Sequence, residues 1–197
     1  MATPLTVPAA DDAARRPPAP GQLELLRQFV NTFDVETDWE GLSTPADLSA
    51  WMIERGLLPS GRRLTERDLA AARELRETLR GVLAANAGHA NGTQARRRLD
   101  RIAARYPLRM RLNGGARLDG DSGKGIAPAV ARLLGTVYDA MTGGTWERLK
   151  VCRNDECQWA FYDHSRNHSG AWCTMAVCGN RIKGRTFRQR HAGTAAG

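Results

Sequence analysis

Residues 152–181 read CRNDECQWAFYDHSRNHSGAWCTMAVCGNR. All four cysteines of the 197-residue chain lie in this stretch, as Cys152-x4-Cys157 and Cys173-x4-Cys178 with fifteen residues between the pairs. The first twenty residues (MATPLTVPAADDAARRPPAP) carry no apolar leader, and no run approaches the ~20 apolar residues of a membrane span. The chain therefore reads as cytoplasmic, where thiols stay reduced and paired cysteines favour a metal over disulfides. Each short pair can close a knuckle around one ion, and the segment between them completes a tetrahedron of thiolates suited to Zn²⁺. About 45 residues bury too little apolar surface to hold themselves together, and a structural zinc site supplies roughly 10–16 kcal/mol. Four thiolates leave no open coordination position, so the ion is expected to be structural. An iron–sulfur cluster also uses four thiolates. His164, His168 and His191 are imidazoles that could replace one sulfur, although four cysteines make them unnecessary.

Around the cysteines, Trp159 and Phe161 are two apart and should face the same side of a short strand, with Trp172 covering the other side. Asp163 continues that alternation and is expected to fix a backbone donor or an arginine near the turn. After Cys178 the spacing predicts a helix that starts near Trp172 or Cys173 and runs past the metal. It would place Arg181, Arg185 and Arg188 along one stripe, with Cys178, Ile182 and Phe187 inward. Gly184 is a point of weakness in that helix. The chain carries 29 Lys plus Arg against 21 Asp plus Glu, a net charge of +8, with a pI near 10.0 and a mean hydropathy of −0.47. From Lys150 onward eight basic residues face three acidic ones, so these 48 residues carry +5. A cationic stripe beside a metal knuckle suits a phosphate backbone, and the arginine fork also suits guanine edges.

The same residues resemble the CGNR zinc-finger family, named for the run found here as Cys178-Gly179-Asn180-Arg181. The likeness takes in Arg148-Leu149-Lys150-Val151-Cys152, then Trp159, Phe161, Asp163, Ser165-Arg166-Asn167, Trp172-Cys173, Met175 and Lys183. Near the other end, Leu25-Leu26-x-x-Phe29-Val30-Asn31-Thr32 is similar to the opening of the ABATE domain, described as a stress-induced transcription regulator. The resemblance, over roughly 21–190, implies a bacterial regulator-like protein with a DNA-binding finger at its C-terminal end. In one place the chain departs from the family: His168-Ser169-Gly170-Ala171 stands where arginines are common before the Trp-Cys pair.

The thiol-free part reads as helices. Leu23, Leu26, Phe29, Val30 and Phe33 recur at helical spacing. Thr44-Pro45 with Asp47 starts a second helix that carries Leu48, Trp51 and Met52 inward and ends at Gly56. Thr65 with Asp68 opens a long third one, with Leu69, Ala72, Leu75, Leu79, Val82 and Leu83 on one face. Residues 93–105 form a fourth, whose Arg96, Arg97, Arg98, Arg101 and Arg105 are either a solvated face or a second anion site. Leu108, Met110 and Leu112 alternate before Asn113-Gly114-Gly115, which predicts a β-hairpin ending near Asp119. A further helix runs from Ile126 to Gly143-Gly144. Asp119-Gly120-Asp121-Ser122-Gly123-Lys124-Gly125 lacks phosphate-loop spacing, and His89 has no evident partner. Asn31, Thr32 and Trp39 are candidates for a pocket lining, with core packing an equal reading.

The expectation is a mainly α protein with a small β-hairpin: a lead-in at 1–20, a helical domain at 21–145, a treble-like zinc finger at 146–192 and a tail at 193–197. One structural Zn²⁺ is assigned to Cys152, Cys157, Cys173 and Cys178. DNA is assigned to Arg181, Lys183, Arg185, Arg188 and Arg190. No catalytic arrangement emerges, and the chain reads as a non-enzyme. The rival readings are a zinc-stabilised protein-interaction module and a ligand-binding or enzymatic helical domain with an accessory finger. The helical part could sense a small effector or form a homodimer, and the residues do not choose between these.

Overall fold

The computed structural model describes residues 17–115, 117–120 and 123–185. Most of the expected lead-in, Phe187, Arg188, Arg190, His191 and the tail lie outside the described residues. The chain enters the core at Ala19, which is buried and donates its N–H to Glu24 Oε2 at 2.7 Å.

Helix α1 (Leu23–Val30) is followed by a hairpin of two-residue strands, β1 (Phe33–Asp34) and β2 (Trp39–Glu40). Helix α2 (Pro45–Glu54) and helix α3 (Glu66–Asn86) each begin with a reciprocal capping box. Thr44 and Thr65 accept from the N–H of Asp47 and Asp68, whose carboxylates accept in return. Such boxes satisfy two orphan helix donors at once, which is why both starts were legible from composition. Helix α4 (Thr93–Arg105) packs on α3 through Leu99 and Ile102. Helix α5 (Ala127–Thr142) is buried around most of its circumference. None of the described helices is long and apolar enough to cross a membrane.

The expected hairpin is present as β3 (Leu108–Arg111) and β4 (Arg117–Gly120), and of its alternating apolar residues Leu108 alone packs on the core. Met110 is 69% and Leu112 70% exposed. The hairpin lies against α5 through β4. There a Cβ on Gly120 would come within 2.2 Å of Ala131 Cβ, so only glycine permits the approach. That contact turns β3 outward.

Beyond α5 a 3-10 turn (Trp146–Arg148) leads into an antiparallel hairpin, β5 (Leu149–Val151) and β6 (Ala160–Tyr162), with Val151 opposite Ala160. One apolar core joins the helices to this hairpin, since Trp146, Leu149, Val151, Ala160 and Tyr162 are buried with the residues of α1, α3 and α5. A second, smaller cluster contains the four cysteines, Trp159 and Phe161, with Trp172 packed on it.

Candidate metal centre

The β5–β6 hairpin is a wall with two faces. Successive side chains of a strand point to opposite sides, so Leu149, Val151, Ala160 and Tyr162 enter the helical core. Cys152, Trp159 and Phe161 look the other way into the metal cluster. The expected pairing of Trp159 with Phe161 holds, and both are core residues, each 1% exposed.

The chain leaves β5 at Cys152 and turns through Asn154 to Cys157, whose N–H donates to the Asn154 carbonyl at 2.8 Å. Cys173 precedes Thr174, whose hydroxyl caps a π-turn (Met175–Gly179) by accepting from Val177 N–H at 3.0 Å. Residues 180–185 continue as α-helix. The helix thus begins slightly later than expected, because the threonine hydroxyl rather than Trp172 satisfies its first donors. Gly184 is itself helical.

All four thiols are buried, and their sulfurs lie within 4.8 Å of one another. Cys173 Sγ is 3.7 Å from Cys157 Sγ and 3.6 Å from Cys178 Sγ. A tetrahedron of sulfurs ~2.3 Å from zinc has edges of roughly 3.8 Å, so the donor set fits one Zn²⁺ without rearrangement. The chemistry of the thiols agrees. Hydrogen bonds from Cys157 and Cys173 favour the thiolate at Cys152 and draw its pKa down to about 2. The Cys152 sulfur in turn pushes Cys157 far up and Cys173 to about 12. Protons alone let few of these sulfurs ionise together, and a divalent cation removes that conflict. When bound, the ion supplies a structural cross-link between two knuckles. Asn154 Nδ2 points at Cys178 Sγ from 3.7 Å, a donor placed to stabilise a thiolate.

A second cross-link lies beside the first. Asp163 is fully buried, and its Oδ2 accepts from Lys150 Nζ at 2.8 Å and from Gly170 N–H at 2.7 Å. Its Oδ1 accepts from Ser165 N–H at 3.0 Å and Ser165 Oγ at 2.7 Å. Burial by itself pushes this carboxyl up. The donors from Lys150, Ser165 and Gly170 outweigh it and hold Asp163 well below the ordinary carboxylate range. Asp163 therefore fixes backbone donors as expected, but its cation is Lys150 and not an arginine. Arg148 completes the turn by donating to the carbonyls of Asp163 and Ser165, both at 2.9 Å. The loop closes so tightly that a Cβ on Gly170 would sit 2.6 Å from Asp163 Oδ1. Gly170→Ala is expected to cost about 1–3 kcal/mol, to be measured as a fall in urea midpoint with an unchanged m-value.

The helical part grips this hairpin through polar contacts that sequence reasoning missed. Asn31 donates from Nδ2 to the Ala160 carbonyl at 3.0 Å and accepts from Ala160 N–H at 2.8 Å, so its amide acts as one more strand partner. Arg80 reaches the carbonyls of Val30, Phe33 and Gln158 at 2.8–3.0 Å. Asn86 Nδ2 reaches those of Trp146 and Leu149, both at 3.1 Å. Asn31 and Thr32 are thus buried struts and not a pocket lining, with the Thr32 hydroxyl donating to the Phe29 carbonyl. Trp39 folds over Gly41. An asparagine just past a helix end was the one visible signal. Nothing in the spacing singles out Arg80 among many arginines.

The expected cationic stripe is only partly available. Arg181 Nη1 pairs with Glu36 Oε1 at 2.6 Å, and Arg185 pairs with Glu156 at 3.1 Å, while Lys183 is exposed. His164 Nε2 lies 3.2 Å from the Pro18 carbonyl and His168 is exposed, so neither belongs to the donor set. His89 Nε2 is buried without a hydrogen-bond partner among the described residues.

Two family models match the chain. The ABATE model, described as "putative stress-induced transcription regulator", covers residues 23–144, and the CGNR zinc-finger model covers 148–191. The chain belongs to the ABATE family and ends in a CGNR zinc finger. No curated protein matches it. The finger model and the four gathered sulfurs together support one structural zinc per CGNR finger. Neither family is described as enzymatic. The two models meet between residues 144 and 148, whereas the apolar core of the ABATE helices continues into the CGNR hairpin.

Proposed function

We propose that this protein is a cytoplasmic bacterial transcription regulator that binds DNA through its zinc-shaped C-terminal segment. The observation that supports it best is the position of the basic helix, which follows the ligand Cys178 directly and so leaves the metal site with a fixed direction. Arg181, Lys183 and Arg185 are all exposed on it, and Arg188 and Arg190 follow in sequence. The pairs of Arg181 with Glu36 and of Arg185 with Glu156 are solvent-exposed. Exposed pairs of this kind are screened by salt and exchange readily, and a phosphate oxygen replaces the carboxylate as acceptor with the same fork geometry. With about five phosphates neutralised, log affinity for duplex DNA should fall with log salt at a slope of about −4 to −5. A fluorescence anisotropy series from ~50 to ~300 mM salt measures it, and a slope near zero removes this reading.

A second reading, a protein-interaction module, is favoured by Met175 and Val177, which are 47% and 40% exposed at the start of the same helix. Unlabelled duplex DNA that fails to compete for the protein's partner supports that alternative. The ABATE part would then carry effector binding or self-association. The open groove of about 610 Å³ between Thr44, Ser49, Ile53, Arg62 and Leu64 is where a small effector would sit.

A further inference from the structure

The described arginines of the finger helix, Arg181 and Arg185, are engaged by carboxylates of the protein itself, whereas a second basic surface is engaged only in part. Helix α4 carries five arginines and a single acidic residue, Asp100. Glu74 takes two of them, Arg98 at 3.4 Å and Arg105 at 2.7 Å, across the α3–α4 contact. Arg96, Arg97 and Arg101 have no ion pair among the described residues, and all three are exposed. Arg97 and Arg101 line a concavity of about 460 Å³ with Asn91, Thr93 and Gln94, and no carboxylate borders it among the described residues.

This surface adjoins the zinc knuckle. Arg153, the residue after the ligand Cys152, donates from Nε to the Ala87 carbonyl at 2.7 Å and lays its Nη2 beside Gly88, 3.1 Å from where a Cβ would stand. Arg96 folds back over Gly92 in the same way, its guanidinium carbon 3.2 Å from the corresponding point. Gly88 and Gly92 are four residues apart, so at most about 14 Å separates their backbones. Over that length a DNA duplex presents roughly eight phosphates. The cationic surface therefore runs from the knuckle, across the loop after α3, and along α4.

We propose that α4 and Arg153 form a second phosphate-contacting face, so that a DNA duplex is held by the ABATE helix and the CGNR finger together. The occupant is a duplex backbone because the face spreads several guanidinium groups along its length, with no large apolar side chain exposed among them and no carboxylate among the described residues that line the Arg97–Arg101 concavity. It reads no bases and adds affinity without sequence preference, as phosphate contacts do. The inference rests on the DNA-binding reading above and extends it to a different element.

The test uses the full-length zinc-loaded protein and a duplex of about 20 base pairs. Arg96→Gln/Arg97→Gln/Arg101→Gln changes only exposed side chains, so its thermal unfolding should match the wild type. Its salt slope is expected to shrink by about 2 to 3, and its affinity at ~0.1 M salt to drop about 10- to 100-fold. The comparison protein is Arg181→Gln/Lys183→Gln/Arg185→Gln. If the finger variant weakens binding while the α4 variant keeps the wild-type slope and affinity, this inference is overturned and the finger reading stands. If the α4 variant weakens binding and the finger variant does not, the joint grip is overturned and α4 alone carries the DNA. A wild type without salt-dependent binding ends both. Polyglutamate of matched charge that displaces the DNA as effectively as a second duplex overturns DNA as the occupant.

Discussion

Cys173→Ser is expected to abolish zinc binding and to lower the unfolding temperature of the helices as well as of the finger. Cys173 Sγ lies 3.7 and 3.6 Å from two of the other sulfurs, and a serine hydroxyl is a poor zinc ligand at neutral pH. Structural zinc contributes roughly 10–16 kcal/mol in isolated fingers, against about 5–15 kcal/mol for the whole stability of a typical domain. Apart from its cysteines, the apolar metal cluster among the described residues contains Trp159, Phe161 and Trp172, too small a core to hold the knuckles without the ion. The effect should not stop there. Residues Trp159 and Phe161 share a strand with Ala160 and Tyr162, which belong to the helical core. When β6 loosens, the Asn31 amide loses both partners and Arg80 loses the Gln158 carbonyl. A loss of only ~3 kcal/mol in a chain of this size shifts the midpoint by about 6–12 °C. Metal analysis should return one zinc per wild-type chain and far less for the variant. The far-UV circular dichroism signal reports mainly α1 to α5. An unchanged helical midpoint in the zinc-free variant would show that the shared hairpin does not couple the two parts.

The second large effect is expected from Asp163→Asn. The substitution keeps the shape of the side chain but leaves the buried Lys150 ammonium with the His168 carbonyl as its remaining acceptor. Breaking one partner of a buried ion pair costs about 3–5 kcal/mol, because the other charge stays desolvated and uncompensated. The midpoint should fall by about 6–20 °C at pH 7. Adding Lys150→Met to Asp163→Asn removes the orphaned charge and should recover part of the loss. A double variant no more stable than Asp163→Asn would show that the pair is not what the carboxylate supports. The sign of the acid response follows from the lowered folded-state pKa. Asp163 contributes fully above the unfolded carboxyl value of about 4, and its contribution is lost as the pH falls below that toward the folded value. Neutral pH is the proper condition for the comparison, since acid also protonates the thiolates that hold zinc.

The metal centre was legible because four cysteines in two short-spaced pairs match the spacing by which two knuckles close on one zinc ion. The capping boxes at Thr44 and Thr65 were legible because the residues that satisfy orphan helix donors lie three apart in sequence. The exposure of Met110 and Leu112 was not. Alternation marks a strand but does not say which neighbour covers it, and here Gly120 and Ala131, far from Met110 in type and position, decided the matter. Arg181 and Arg185 were read as a stripe from their spacing alone, yet their partners Glu36 and Glu156 lie 145 and 29 residues away.

By itself, then, the order of residues determined the donor set, the helices and the basic tail, all of which rest on spacings shorter than about fifteen residues. Tertiary structure decided that the hairpin between the cysteine pairs has one face in the ABATE core and the other on the metal. It also made Asn31 and Arg80 the struts that hold it, and among the described residues gave Arg181 and Arg185 the carboxylate partners that Arg96, Arg97 and Arg101 of α4 lack. The reason is physical: a backbone carbonyl such as that of Ala160 or Gln158 leaves no trace in composition, so a side chain that serves it can be recognised only once the chain has brought the two together.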